Sequence, residues 1–189
     1  MKKNFLTEEN LILDSFKLGV SIFESGFRPT FIVGLWRGGS SVGIYVQECL
    51  QTLGVKTDHI SVRTSYRGAA HYQDMLEKKD AIRVHGTHYL LESLNADDSL
   101  LIVDDVFSSG SNIQAVLEKL SRQLKRNMPK QVKVATLWRR PSYQSTEKTP
   151  DFCLYETEDW LVFPYELNGL TREEIAEHKP FVLPLLGEA

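Results

Sequence analysis

The 189-residue chain has little cysteine, with only Cys49 and Cys153. Two thiols do not make a disulfide framework or a four-ligand zinc site. Cys49 falls in a predicted helix and Cys153 in a predicted strand, and we expect both to be small core residues. Together with the lack of a membrane span and of a secretory signal, this cysteine usage favours a reducing, cytoplasmic setting.

Long apolar runs and an excess of positive charge are also missing. No apolar stretch approaches the ~20 residues of a membrane span, and the N-terminus turns acidic before any apolar core forms, unlike a secretory signal. The net charge is −3 and the pI about 6.0, whereas nucleic-acid-binding domains are typically basic. The Lys and Arg cluster within 119–133 follows the polar side of a predicted helix and is interpreted as a solvated face. We therefore expect neither a membrane nor a nucleic-acid partner.

Hydrophobic periodicity predicts strands that alternate with helices. Predicted helices cover 8–25, 41–53, 111–126 and 172–178, and predicted strands cover 31–35, 59–62, 100–103, 132–137, 152–155 and 160–163. The predicted apolar faces of the first three helices are Leu11, Ile12, Phe16, Val20 and Phe23; Val42, Val46, Cys49, Leu50 and Leu53; and Ile113, Val116, Leu117, Leu120 and Leu124. Thr171 and Glu174 form a capping-box pattern for the last helix.

This alternation predicts right-handed βαβ units and a mainly parallel sheet in one α/β domain. Ligands bind at the carboxyl ends of the strands in such sheets. The loops after Leu35, Val62, Val103 and Leu137 should therefore meet at one edge and form one site.

The segment 100–112 carries the strongest chemical pattern. Four apolar residues form a buried strand, Asp104 and Asp105 follow it, and a loop of small residues opens into a helix. The N–H groups and positive dipole end of that helix start favour phosphate. The carboxylates suit hydroxyls or a metal instead, so a sugar phosphate fits both halves. The alternative is a solvated Asp pair followed by an ordinary serine N-cap. No Gly-x-x-x-x-Gly-Lys-Ser/Thr sequence occurs, which excludes a nucleotide P-loop.

Val-Asp-Asp followed by this loop resembles the phosphoribosyl diphosphate (PRPP) motif of the type I phosphoribosyltransferases. The resemblance implies that fold for residues 1–189, with a core at about 27–138 and a small hood from about 139–189 that can include the N-terminus. It implies that Asp104 and Asp105 position the ribose hydroxyls directly or through Mg²⁺. The residues implied to cradle the 5′-phosphate are Ser108, Ser109, Gly110, Ser111 and Asn112.

Two further segments resemble the diphosphate-binding parts of this family. Arg37 and Gly38, in Trp36-Arg37-Gly38-Gly39, match its diphosphate loop, which by position would carry a cis peptide at Trp36–Arg37. The alternative is a tight turn with an exposed arginine. Ser65 and Tyr66 match a pair on a mobile loop that closes over the substrates, and Arg63, Arg67 and His71 flank them. A surface hairpin at 64–88 is the alternative.

The C-terminal third resembles the 6-oxopurine branch, which uses hypoxanthine, guanine or xanthine. By position, Arg140 would donate to the purine 6-oxo group, Trp160 would stack on the ring and the Leu161 backbone would read the base edge. Glu166 would help to hold Mg²⁺. Arg139 is the alternative to Arg140, and Trp160 could instead belong to the core.

Ser108 departs from the family pattern, which commonly places an aspartate there for proton transfer near purine N7. General acid–base assistance is typically worth ~10²–10⁴-fold in rate, so the departure predicts slower catalysis. We expect Ser108, Asp104 and Asp105 to form the catalytic group of a 6-oxopurine phosphoribosyltransferase that makes a nucleoside 5′-monophosphate and diphosphate. The alternatives are a PRPP-binding regulator and an enzyme for another base. The resemblance also implies a homo-oligomer, a dimer or a tetramer.

Overall fold

The computed structural model describes residues 2–66 and 82–187, and the chain divides into two compact units. The larger unit comprises Ile12–Glu158, and the smaller comprises Met1–Leu11 with Asp159–Ala189. Among the described residues, no helix has both the length and the apolar character needed to cross a membrane.

The larger unit is built on a six-stranded sheet. Its strands are β2 (Phe31–Trp36), β3 (Asp58–Tyr66), β4 (Ile82–His85), β5 (Ser99–Phe107), β6 (Gln131–Arg139) and β7 (Phe152–Glu156). Their order across the sheet is β4-β3-β2-β5-β6-β7. The neighbouring strands are parallel except β3 and β4, which pair antiparallel. This confirms the predicted α/β class with a mainly parallel sheet.

Helices flank the sheet, one before its first strand and the others in the connections between its strands. They are α1 (Glu8–Glu24), α2 (Gly38–Thr52), α3 (His88–Ser93) and α4 (Ser111–Leu124). Four of the five predicted apolar residues of α4 are buried, and Leu117 packs against the same core as a partly buried residue. That core joins α4 to β2, β3, β4 and β5 through Val33, Val62, Val84, Ile102, Val116 and Leu120.

The smaller unit pairs β1 (Lys3–Phe5) in parallel with β8 (Trp160–Val162) and adds helices α5 (Arg172–His178) and α6 (Leu183–Leu186). The Thr171 side chain accepts a hydrogen bond from the Glu174 N–H at 3.2 Å, and Glu174 Oε2 accepts one from the Thr171 N–H at 2.9 Å. The capping box and the bounds of α5 are therefore confirmed.

The predicted buried face of α1 is wrong for Phe16 and Val20, which are 38% and 40% exposed. The buried residues are Leu11, Ser15, Leu18, Gly19 and Ile22. A Cβ on Gly19 would lie 2.8 Å from Cys49 Cβ, so two small residues set a close approach between α1 and α2. A prediction from hydrophobic periodicity gives little weight to small residues such as Gly19. It therefore assigns the buried face of α1 to larger apolar residues at the edge of the contact with α2.

Three smaller expectations also fail. Helix α2 begins at Gly38 and not at 41, which places both glycines of the predicted loop in its first turn. Leu53, predicted to be buried, is 40% exposed beyond the end of α2. Cys153 is exposed because alternate residues of the edge strand β7 face outward, and Cys49 is partly buried.

The corrected buried face of α1 can be tested by truncating one side chain on the buried side of the helix and one on its exposed side. Leu18→Ala should lower the free energy of unfolding by about 2–5 kcal/mol because Leu18 is fully buried. Val20→Ala, two positions along the same helix, should cost about 0.5 kcal/mol or less. Chemical denaturation measures both changes, and equal losses would contradict this packing.

Candidate functional site

The carboxyl ends of β2, β3, β5 and β6 meet at one edge of the larger sheet. Trp36 at the end of β2 is paired with Arg63 of β3, and Gly34 of β2 is paired with Val103 of β5. Two residues further along these parallel strands, Asp105 therefore reaches the level of Trp36. This edge brings the first two predicted motifs together.

Asp104 and Asp105 lie within β5, which continues to Phe107 and not only to Val103 as expected. The Asp105 N–H donates to Asp104 Oδ1 at 3.0 Å, and the Val106 N–H donates to Asp105 Oδ1 at 2.8 Å. Burial raises the pKa of Asp104 well above its ordinary 3.8, and the neighbouring Asp105 carboxylate raises it further. A cation or hydroxyl donors at this place would favour the charged form of the pair.

Gly39 in the first turn of α2 packs directly against the backbone of β5. A Cβ at Gly39 would overlap the Val103 carbonyl oxygen and lie 2.8 Å from Asp104 Cα and 3.1 Å from Asp104 Oδ1. Only glycine permits this approach, so residues 36–39 lie beside the Asp pair. The Trp36–Arg37 peptide is cis, as predicted, and Arg37 is exposed.

The predicted phosphate loop leads into α4 through Gly110, which has φ +80°. A Cβ there would overlap Thr146 Oγ1 and lie 2.7 Å from the Phe107 ring, so a larger residue is excluded by both conformation and space. The Ser111 N–H donates to Ser109 Oγ at 3.2 Å. Ser108 Oγ is buried, and among the described residues it has no hydrogen-bond partner.

A segment that the sequence did not reveal holds this loop in place. The Ser145 N–H donates to the Ser109 carbonyl at 3.1 Å, and the Ser145 and Thr146 hydroxyls donate to the same oxygen at 3.3 Å. These residues lie more than thirty positions after the loop. Only the fold connects them, because no local spacing signals such a long-range contact.

Arg139, the last residue of β6, and Arg140, which follows it, both have partners in the larger unit. Arg140 is 4% exposed, its guanidinium lies 3.9 Å over the Tyr143 ring, and its Nη2 donates to the Glu158 carbonyl at 3.2 Å. Its N–H donates to the Phe107 carbonyl at 2.9 Å, which places Arg140 beside Ser108. Arg139 contacts Glu156 at 3.3 Å and Gln144 at 2.8 Å.

Ser65 and Tyr66 end β3 and precede the undescribed segment, so they belong to a strand and not to a loop. The antiparallel pairing of β3 with β4 matches the alternative hairpin interpretation of this region. Ser65 Oγ lies 2.9 Å from His85 Nε2. Arg67 and His71 lie outside the described residues, and the closing role of this segment stays a prediction.

The remaining predicted base and metal residues belong to the smaller unit. Leu161 is buried and Trp160 partly buried on β8. Glu166 Oε2 accepts a hydrogen bond from the Phe163 N–H at 3.1 Å. The buried Lys179 donates to the Phe163 and Pro164 carbonyls at 2.7 and 2.8 Å, and burial lowers its pKa. The base and metal roles of these residues stay predictions.

The two carboxylates at the sheet edge, Asp104 and Asp105, suit magnesium better than a metal ion that takes all of its ligands from the protein. Within the described parts of the chain, no three His, Cys, Asp or Glu residues come together as a metal-binding group. Mg²⁺ commonly binds one or two carboxylates and takes its other ligands from substrate phosphates and water. Asp104 and Asp105 fit this pattern.

A mainly parallel sheet carries a carboxylate pair and a glycine-containing loop before a helix at its carboxyl edge, and this arrangement of an α/β protein suits a phosphorylated sugar. The family model of the phosphoribosyl transferase domain matches residues 2–168, and the chain belongs to this family. No curated protein sequence matches the chain.

Solved structures with the same fold include three relatives of low sequence identity. A purine phosphoribosyltransferase from Pyrococcus horikoshii is 24% identical with a TM-score of 0.65, over 91% of this chain and 99% of that one. A xanthine-guanine-hypoxanthine phosphoribosyltransferase from Helicobacter pylori is 17% identical with a TM-score of 0.64, over 88% and 95%. A Neisseria gonorrhoeae protein with bound ppGpp is 16% identical with a TM-score of 0.70, over 97% of both chains.

The protonation of Asp104 can be tested in metal-free protein. Because its folded pKa is raised, the folded state holds a proton that the unfolded state has lost above about pH 4. The free energy of unfolding should therefore fall as the pH rises through this range, and Asp104→Asn should reduce the fall. Denaturation in a chelator at about pH 5 and about pH 8 measures it. The exposed Asp97→Asn is the control, and an unchanged slope in Asp104→Asn would contradict the assignment.

Proposed function

We propose that the protein transfers the phosphoribosyl group of PRPP to a 6-oxopurine and releases diphosphate. The single observation that carries this proposal is the contact of Gly39 with Val103 and Asp104. It joins the segment that resembles the diphosphate loop to the segment that resembles the PRPP motif. Two motifs distant in sequence thereby become parts of one site.

In this proposal the sugar phosphate spans the carboxyl edge of the sheet. The N–H groups at the start of α4, with Ser109, Gly110, Ser111 and Asn112, bind the 5′-phosphate. Asp104 and Asp105 accept hydrogen bonds from the ribose hydroxyls, which favours their ionised form. Arg37 and the backbone at Gly38 bind the diphosphate, since a guanidinium pairs with phosphoryl oxygens in a planar fork.

The reaction breaks the bond from ribose C1′ to the diphosphate oxygen and forms a bond from C1′ to a purine nitrogen. The imidazole N–H proton of the purine passes to the departing diphosphate or to water. Positive charge develops on the ribose, and the Asp104–Asp105 pair supplies nearby negative charge that stabilises it. Mg²⁺, when held by Asp104 and Asp105, would neutralise charge on the departing diphosphate. Ser108 lies at the proton-transfer position, and its hydroxyl can hydrogen-bond the purine but cannot hold the charge of a carboxylate.

In this proposal Arg140 contributes to the choice of base. Its guanidinium donates to the Glu158 carbonyl and carries further N–H groups of the kind that a purine 6-oxo group accepts. The stacking of Trp160 on the ring and the reading of the base edge by the Leu161 backbone stay predictions from the family resemblance. The names of the Pyrococcus and Helicobacter relatives support a purine. A homo-oligomer is part of the same proposal, by analogy with the family.

A PRPP-binding regulator is the second candidate function, favoured by the Neisseria relative. That protein holds ppGpp and matches this chain over 97% of its length. A guanosine nucleotide with phosphate groups at two ribose positions shares its anionic groups and its purine with the proposed substrates. Ser108 in place of a carboxylate agrees with weak or absent catalysis.

A diphosphate-release assay with PRPP and Mg²⁺ separates these candidates. We expect release with hypoxanthine, guanine or xanthine, at a specificity constant about 5- to 150-fold above adenine. Adenine carries an amino group at position 6, which is a donor and would face the donor proposed on Arg140. One buried polar group would then remain unpaired, which costs about 1–3 kcal/mol.

Reactions without base and with uracil are the controls for this assay. Preferential use of adenine or uracil would make the base assignment wrong. PRPP binding with no release for any base would favour the regulator.

A further inference from the structure

A cavity of about 500 Å³ lies between the edge strand β4 and helix α4 of the larger unit. Its lining includes Arg83 and His85 from β4, and Glu118, Lys119 and Arg122 from α4. This volume lies in the range typical of pockets for small ligands. None of these residues belongs to the proposed PRPP site.

The cavity has an excess of positive charge. Among the described residues that line it, three carry a permanent positive charge (Arg83, Lys119 and Arg122) and one carries a carboxylate (Glu118). The Glu118 carboxylate accepts a hydrogen bond from the neutral amide of Gln114 at 2.8 Å. In the parts of the chain that the structure describes, the side chains of Arg83 and Arg122 form no ion pair and no hydrogen bond, whereas their backbones belong to β4 and α4. Both guanidinium groups therefore have donors available to a ligand.

Lys119 is fixed against the wall of the cavity. Its Nζ donates to the Val84 carbonyl at 2.7 Å, which uses one of three ammonium donors and leaves the charge beside the cavity. His85 of β4 contacts Ser65 of the neighbouring strand β3, since its Nε2 lies 2.9 Å from Ser65 Oγ. This contact orders the His85 side chain. A partly ordered lining lowers the entropy cost of binding.

We infer that this cavity is an accessory binding site for a small phosphorylated ligand. Arginine forks bind phosphoryl oxygens with two parallel hydrogen bonds, and Lys119 adds a point charge. Arg122 lies about 16.5 Å along the helix axis from Ser111 at 1.5 Å per residue, so the arginine end of the cavity is separate from the proposed 5′-phosphate site. The ligand class is a nucleotide or a short polyphosphate, since both share closely spaced phosphoryl groups.

Tripolyphosphate is a suitable probe, and calorimetric titration of the full chain measures its binding. Replacing both arginines, Arg83→Ser with Arg122→Ser, should weaken the affinity tenfold or more. Replacing both by lysine should restore part of it, since the charge returns without the fork. Arg126→Ser, an exposed arginine on the turn after α4 and outside the cavity lining, is the matched control and should bind as the wild type does.

A second variant separates this cavity from the sheet edge. Arg37→Ser alters the proposed diphosphate position and should leave the arginine-dependent binding intact. The inference is overturned if the wild type does not bind tripolyphosphate, if Arg126→Ser weakens binding as much as the double variant, or if Arg37→Ser removes the binding. Repeating the titration with ATP distinguishes a nucleotide from a polyphosphate, and tighter binding of either supports the same site.

Discussion

The close approach of Gly39 to the end of β5 is the constraint on which the proposed site depends. A side chain at Gly39 would overlap the Val103 carbonyl oxygen, and α2 would have to move away from the sheet. The exposed Arg37 would then move away from Asp104 and Asp105. Gly34 of β2 contributes to the same arrangement, since a Cβ added there would lie 2.8 Å from the Gly39 carbonyl oxygen. Two residues without side chains thus allow a cationic loop and a carboxylate pair to lie close together, as the proposed site requires.

The parts of this fold that follow from local chemistry could be predicted from the sequence. The apolar run before Asp104 predicts a buried strand, and the i, i+3, i+4 spacing from Ile113 to Leu124 predicts the buried face of α4. Thr171 and Glu174 predict a helix start because their capping bonds close within four residues. Sheet topology then places the motifs at one edge, since the carboxyl ends of parallel strands lie together.

Features that depend on long-range contacts could not be predicted. The hydroxyls of Ser145 and Thr146 reach the Ser109 carbonyl only because β6 returns the chain to the end of β5. The burial of Arg140 depends on Tyr143 and on the Glu158 carbonyl. The face of α1 was misassigned because Gly19 and Cys49, both small, define its contact with α2. Composition along one helix does not reveal which neighbour it will meet.

The central claim is that Asp105 contributes directly to a PRPP site, and a calorimetric titration with Mg²⁺ and PRPP tests it. We expect Asp105→Ala to weaken the binding of Mg²⁺·PRPP at least tenfold, because hydrogen bonds to charged groups contribute about 1.5–3 kcal/mol. Asp97→Ala removes an exposed carboxylate in the same unit and should leave the affinity unchanged. Equal affinities for the wild type and Asp105→Ala, with the fold intact by circular dichroism, would contradict the account.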